Sequence, residues 1–238
     1  MLELRNVFYE VLDLKDNQKK CILNNLNVCF PKNKITVITG HNGSGKSTLI
    51  KLLMGIISPT SGEVVYDGKN INNLSISDRA NLGFTIAFQQ PTKFKGLTVN
   101  NLLNLANKKE NNVSLACQYL AQVGLCAKDY INRELDDSLS GGELKRIELA
   151  VSLCKGGEVL LFDEPEAGID LWSFDDLVNL FKKQKDKTII IVSHQQKILD
   201  IADYVLLLNS KETARFGKKT EMIPFIKNSK CGALEDEE

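Results

Sequence analysis

Four stretches of this chain gather residues suited to phosphate chemistry. Gly40, His41, Asn42, Gly43, Ser44, Gly45, Lys46, Ser47 and Thr48 spell "GHNGSGKST" and fit the pattern G-x-x-x-x-G-K-[ST]. In such a loop the glycines let the backbone wrap a β-phosphate, Lys46 reaches the β- and γ-oxygens, and the Ser47 hydroxyl ligates Mg²⁺. His41 occupies a variable position and offers its backbone. "VLLFDEP" is an apolar run ending in Asp163 and Glu164. Asp163 suits a water-mediated hold on Mg²⁺, and Glu164 is then placed to polarise an attacking water. His194 closes "TIIIVSH", where a parallel strand delivers a side chain to a ligand, and a neutral imidazole there can hydrogen-bond a γ-phosphate or a water. In "LSGGELKRIELA", Ser140, Gly141 and Gly142 begin a helix stripped of side chains, leaving its first N–H groups open to an anion. The chain thus carries two helix starts aimed at phosphate.

Those residues need elements to position them. A β-rich run over residues 35–39 precedes the glycine loop, and "KSTLIKLLMGII" after it is apolar on nearly every side, which predicts a buried strand feeding a buried helix. Residues 1–30 read as strands joined by the polar turn "LKDNQKK", and "SGEVVYDGK" as a β-run followed by an Asp-Gly turn. From about 97 to 155 helical spacing takes over, with Val113, Ala116, Leu120 and Val123 on one predicted face. β-Runs then return as "EVLLFDEP", "TIIIVSH" and "DYVLLL", with a helix between the first two whose Phe174, Leu177, Val178 and Phe181 share a face. Gln89, in "IAFQQPTKF", falls where core and insert join, placed to touch Mg²⁺ or water and to report the nucleotide state to the insert. The expected organisation is one domain over 1–225, with its helical insert, and a polar acidic tail over 226–238 that does not pack.

Composition excludes several classes. The 238 residues are 43% hydrophobic, enough for a sizeable core, and 30 basic residues balance 30 acidic ones, so there is no general pull toward nucleic acid or anionic membrane. No apolar run reaches the roughly 18 residues needed to span a bilayer, and the first ten residues lack a signal-peptide pattern. The chain reads as soluble and cytoplasmic. Six cysteines, at 21, 29, 117, 126, 154 and 231, show no metal-finger spacing and read as free thiols, several of them in the core.

In chain order these pieces resemble the ATP-binding-cassette ATPases over roughly residues 1–225. In that family the phosphate loop is followed by a Gln loop, an LSGG signature, a strand ending in Asp-Glu, a D-loop and a His switch. Here these are residues 40–48, Gln89, 139–143, Asp163 with Glu164, "AGID" at 167–170, and His194. The resemblance implies an α/β P-loop NTPase core with an antiparallel β subdomain and an inserted helical subdomain. It implies ATP and Mg²⁺ as cofactors, Ser47, Gln89 and Asp163 around the metal, and catalysis by Lys46, Glu164 and His194. It also implies a site shared head to tail by two subunits. Ser140, Gly141 and Gly142 of one subunit, with the D-loop Asp170, would cap the γ-phosphate held by Lys46 of the other. Two phosphate-seeking helix starts then serve one site from different chains. The family commonly stacks adenine on an aromatic of the first strands, and Tyr9 is the candidate here. The turn "PKNK" replaces one that usually bears glycine, and Asn33 can take the left-handed conformation it needs.

Within the family, "AFQQP", "SGGELKRIELA", "DEPEAGIDLWSF" and "SHQQKILDIADYV" are similar to the SufC-type ATPases of iron–sulfur cluster assembly, in their short archaeal and clostridial form. Glu143 stands where transporters commonly have Gln, and the stretch after Pro165 lacks their Ser or Thr. This likeness implies that ATP-driven dimerisation works on a soluble, β-helical SufB/SufD-like scaffold docked near Gln89 and residues 92–103. It implies no nucleic acid and no direct membrane insertion. The same motifs also fit the ATP-binding subunit of a membrane transporter, which needs separate membrane-spanning partners. A non-catalytic nucleotide-gated module is disfavoured, because Lys46, Asp163, Glu164 and His194 are all present.

Overall fold

The computed structural model describes residues 1–13, 18–107, 113–209 and 213–231. Strands β1 (Leu2–Leu12) and β2 (Lys19–Phe30) lead into β3 (Ile35–Gly40) and α1 (Lys46–Met54). β4 (Ser61–Tyr66), β5 (Lys69–Asn70), α2 (Ile76–Asn81) and β6 (Phe84–Ala87) follow. Short β7 (Phe94–Thr98) opens an insert of α3 (Val99–Asn107), α4 (Val113–Gln122) and α5 (Ala127–Tyr130), which β8 (Glu134–Leu135) closes. The chain returns through α6 (Gly141–Lys155), β9 (Val159–Asp163), α7 (Leu171–Lys183), β10 (Thr188–Val192) and α8 (Gln196–Asp200). β11 (Tyr204–Leu208), β12 (Arg215–Lys218) and α9 (Lys219–Cys231) complete it.

The central sheet runs β12-β11-β3-β10-β9-β6, and all its pairs are parallel except β11 with β12. Its middle strands are continuous apolar runs because both faces are covered. Along β9, Leu160 and Phe162 face one apolar cluster while Val159 and Leu161 face the other. β10 divides likewise, Ile189 and Ile191 against Ile190 and Val192. Register sets Val192 beside both Ile38 and Asp163, so three strands release their chains at one edge of the sheet. The antiparallel sheet, β2-β1-β4-β5, packs over α1 through Leu2, Leu4, Leu26 and Phe30. Asn33 turns into β3 with φ 57°, the left-handed geometry its sequence position calls for.

The insert joins the cluster that Leu160 and Phe162 face. Val99 and Leu103 of α3 and Ala116 and Leu120 of α4 bury against α6, the helix that runs back into the core. α7 buries Phe174, Leu177, Val178 and Phe181, the expected face. Several expectations are corrected. Val113, at the first turn of α4, is 51% exposed, because α6 covers the helix only from Ala116 onward. Of the described cysteines only Cys154 is buried; Cys21 and Cys126 are exposed, the first on an edge strand and the second ahead of a single-turn helix. The tail expected from 226 is helical as far as Cys231, since α9 anchors itself through Met222 and Ile226. Residues 232–238 lie outside the described residues.

The phosphate-loop helix is gripped at its far end. Arg79 of α2 is wholly buried, and its Nη1 donates to the carbonyls of Leu52 and Leu53 at 2.8 Å each. Nη2 donates to Ile71 at 2.8 Å. Gly55 ends α1 in a left-handed conformation, and a Cβ there would meet Arg79 Nε at 2.7 Å. Burial pulls the guanidinium down to about 10, still charged at neutral pH. Removing it takes a buried donor from three carbonyls, of which Leu52 O and Ile71 O still accept from the amides of Gly55 and Leu74. Arg79→Met is expected to cost about 3 kcal/mol and lower Tm by roughly 6–12 °C, measured by thermal melts. Arg79→Lys, with one point charge in place of a fork, should recover only part of that loss.

Candidate active site

β3 ends at Gly40 with φ 141°, a conformation reserved for glycine, and a Cβ there would lie 1.9 Å from the Leu208 carbonyl oxygen. Gly45, φ 91°, occupies the N-cap of α1, and no side chain caps the helix. Its first-turn N–H groups are therefore open to an anion. Lys46 is 6% exposed, and its Nζ donates to Gly40 O at 2.9 Å and His41 O at 2.8 Å. The loop curls around its own ammonium. Burial lowers the Lys46 pKa, while the charges of Glu164 and Asp163 pull it back up. Beside the loop a cavity of about 590 Å³ is lined by Ile22, Leu23, Ser44, Leu208 and Arg215. Tyr9 does not line it; the ring packs on the apolar cluster beneath β1, cross-strand from Leu23.

The carboxylates arrive from β9. Ser47 Oγ donates to Asp163 Oδ1 at 3.1 Å, which joins the loop to the strand end. Asp163 is 4% exposed; burial pushes its carboxyl up, the Ser47 hydrogen bond holds it down, and Glu164 pushes it up again. A buried carboxylate and a hydroxyl side by side are hard oxygen donors, and they fit Mg²⁺. Glu164 has φ 45°, left-handed for a residue with a side chain, a strain of about 1–3 kcal/mol. Its amide is fixed by donation to Val192 O at 3.0 Å. Gln89 Nε2 donates to Glu164 Oε2 at 2.6 Å, so the structure seats Gln89 on the carboxylate expected to polarise water.

His194 is exposed in the turn between β10 and α8, at the same sheet edge as Gly40 and Glu164. Ser193 before it is fully buried, donates its amide to Ile38 O at 3.1 Å, and donates its hydroxyl to Glu166 Oε1. Gln195 N donates back to Ser193 Oγ at 3.0 Å.

Sequence reasoning missed a clamp on the Gln89 segment. Lys145 of α6, 0% exposed, donates to the carbonyl oxygens of Phe88 and, at 3.4 Å, Gln89, and pairs with Glu148 at 3.2 Å. Glu148 Oε1 accepts from Phe88 N at 2.9 Å. The available signal was a Lys and a Glu three apart among the apolar residues Leu144, Ile147 and Leu149.

The start of α6 is a capping box: Ser140 N donates to Glu143 Oε2 at 2.7 Å, and Glu143 N to Ser140 Oγ at 3.2 Å. This satisfies the cap and third-residue amides and leaves those of Gly141 and Gly142 without a backbone partner among the described residues. No described hydrogen bond links residues 139–143 to the phosphate loop of the same chain. Gly142 instead abuts the D-loop: a Cβ on it would be 2.7 Å from Gly168 O, and Arg146 one turn on pairs with Asp170 at 3.0 Å. The Tyr130 hydroxyl, then the Ser140 amide, hold the Glu143 carboxyl down to about 2. A depressed carboxylate adds stability above its unfolded pKa, near 4.5, and loses it as pH falls toward about 2. Glu143→Gln should thus be less stable than the parent at neutral pH, with the gap narrowing below pH 4.5, as followed by urea melts at stepped pH.

A family model described as ABC transporter matches residues 23–167. An uncharacterized ABC transporter ATP-binding protein of Methanocaldococcus jannaschii is 36% identical over 221 residues, 89% of this chain and 88% of its own. An energy-coupling factor transporter ATP-binding protein of Mycoplasmopsis pulmonis is 32% identical over 94% of this chain and 84% of its own. Among solved structures, the dimeric post-hydrolysis state of an ATP-binding cassette bound to ADP and Pi superposes with a TM-score of 0.82 at 24% identity, over 92% of this chain and 99% of that one.

Proposed function

The chain belongs to the ABC transporter family of ATP-binding cassettes, and from that premise we propose that it is the motor subunit of a membrane transporter, working as a head-to-tail pair on separate membrane-spanning partners. It is an ATPase that uses ATP with Mg²⁺. The observation that carries the transporter reading is the naming of its relatives: proteins matching most of the chain are ATP-binding proteins of transporters. No described helix is long and apolar enough to cross a membrane, which fits a subunit held at the membrane by its partners.

In the proposed cycle the open N–H groups of α1 and the Lys46 ammonium hold the triphosphate. Ser47 and Asp163 would hold Mg²⁺, which would supply charge neutralisation at the phosphates. Glu164, aimed by Gln89 and by its strained backbone, draws a proton from the water that attacks the γ-phosphorus. His194 contacts the γ-phosphate from the next strand. The Gly141 and Gly142 amides of a second copy close the site from the other side, and loss of the γ-phosphate on hydrolysis releases the pair.

A soluble iron–sulfur scaffold is the second reading. It rests on the run after Pro165, where Glu166 is built into the site instead of a Ser or Thr. The relatives' names favour the transporter over it. Affinity purification in Mg-ATP separates the two: a partner with bilayer-spanning segments supports the transporter, and a soluble partner carrying iron and labile sulfide overturns it. For the chemistry, Glu164→Gln is expected to cut kcat by about 100-fold or more while ATP binding persists and an ATP-loaded dimer accumulates on size exclusion. Hydrolysis at the parent rate would remove Glu164 from its role. Changes at Ser140 should slow hydrolysis and leave ATP binding to the isolated subunit intact.

A further inference from the structure

We infer that Glu166 is a positioning residue for hydrolysis: through the Ser193 hydroxyl it holds the turn bearing His194 in register with the loop that follows Glu164. The inference rests on the ATPase activity of the family and does not depend on which partner the cassette drives.

The geometry is a relay with His194 at its centre. Ser193 lies immediately before the histidine, and its hydroxyl donates to Glu166 Oε1. Gln195 lies immediately after, and its amide donates to the same hydroxyl at 3.0 Å. One side chain therefore ties down both flanks of the exposed His194. At its other end Glu166 belongs to the turn that carries both Glu164 and the D-loop. Ala167 N donates to Glu164 O, and Ile169 N to Glu166 O, each at 3.1 Å. Gly168 within that turn abuts Gly142 at the start of α6. Moving Glu166 would shift His194 relative to Glu164, and an error of even an ångström in such a pair is costly to a chemical step.

The fold carries this carboxylate at a cost. Glu166 Oε2 is buried and has no hydrogen-bond partner among the described residues. Burial pushes the carboxyl up, the Ser193 bond opposes that, Glu164 adds to the rise, and the charge of Lys145 counters it. A half-satisfied buried acid is a poor way to stabilise a turn. Residues retained against stability tend to serve function. Lys46, Ser47 and the first turn of α1, which hold the triphosphate, have no described bond to the relay, and of the groups that meet the phosphates only His194 depends on it, so its loss should bear on hydrolysis far more than on nucleotide affinity.

The test uses the full chain and three readouts: kcat, the Kd for ATP, and Tm. Glu166→Ala is expected to lower kcat about tenfold or more, to leave the Kd within about twofold, and to keep or raise Tm. Ser193→Ala should do the same to kcat, and the double variant should be no slower than either single one, because both remove one link. Glu166→Gln keeps an oxygen that accepts from Ser193 and should restore most of the rate lost in the alanine variant. Three results would each overturn the inference: a parent-like kcat in Glu166→Ala, a joint fall of kcat, ATP affinity and Tm, or multiplicative losses in the double variant. Failure of the glutamine variant to recover beyond the alanine one would overturn it too.

Discussion

Everything at this site depends on an ammonium folded into its own loop. Lys46 would be expensive to bury alone, and the carbonyls of Gly40 and His41 make the burial tolerable by accepting from it. That arrangement demands a backbone able to turn its carbonyls inward, which is why glycine stands at position 40 against the Leu208 carbonyl. It also demands that β3 and β11 end level with each other, and their register, Leu208 beside Gly40, provides this. The charges at 164 and 163 offset part of the cost of burying Lys46.

A second dependence runs through α6. Its first turn presents two amides with no backbone partner among the described residues, its second turn fixes the Gln89 segment through Lys145 and Glu148, and Gly142 touches the D-loop. The remainder of the helix is the floor on which α3 and α4 rest. One rigid rod thus meets the Gln89 segment, the loop beyond Glu164 and the insert, so a shift of any of them is felt by the others. The capping box at Ser140 keeps the rod's end from fraying without blocking its two open amides.

Much of this was legible in the residues themselves. The phosphate loop, the Asp163–Glu164 strand end and His194 could be read because backbone geometry dictates their types and spacing, and buried parallel strands advertise themselves as unbroken apolar runs. The alternation that splits β9 and β10 between two cores follows from the same pattern. Lys145, Glu148 and Glu166 were not legible as working residues, because their partners are distant in the chain and a charge on a helix ordinarily faces water. Val113 shows the limit of periodicity, which predicts a face but not where its cover begins. Tyr9 shows that strand position alone does not fix where an aromatic points: it is half-buried against the apolar cluster and away from the cavity beside the loop. The partner was the hardest matter of all. Motifs that grip ATP are shared by cassettes whatever they drive, so local likeness to one subfamily does not name the partner, and the names of the wider set of relatives favour a transporter.

Arg79 has one more effect, at long range. The nine-residue helix α1 spans ~13 Å, with the phosphates expected at one end and this guanidinium at the other. A helix's carbonyl end carries partial negative charge that works against an anion bound at its amide end. The buried cation cancels that far pole, so the helix presents its positive end almost as an isolated pole. A unit charge about 15 Å away at an effective dielectric of about 20 is worth about 1 kcal/mol. Because the path lies through protein, counterions in solution do little to weaken it, unlike the pull of lysines on the surface. Part of the grip on nucleotide is in this way made insensitive to ionic strength by a residue that never meets the ligand.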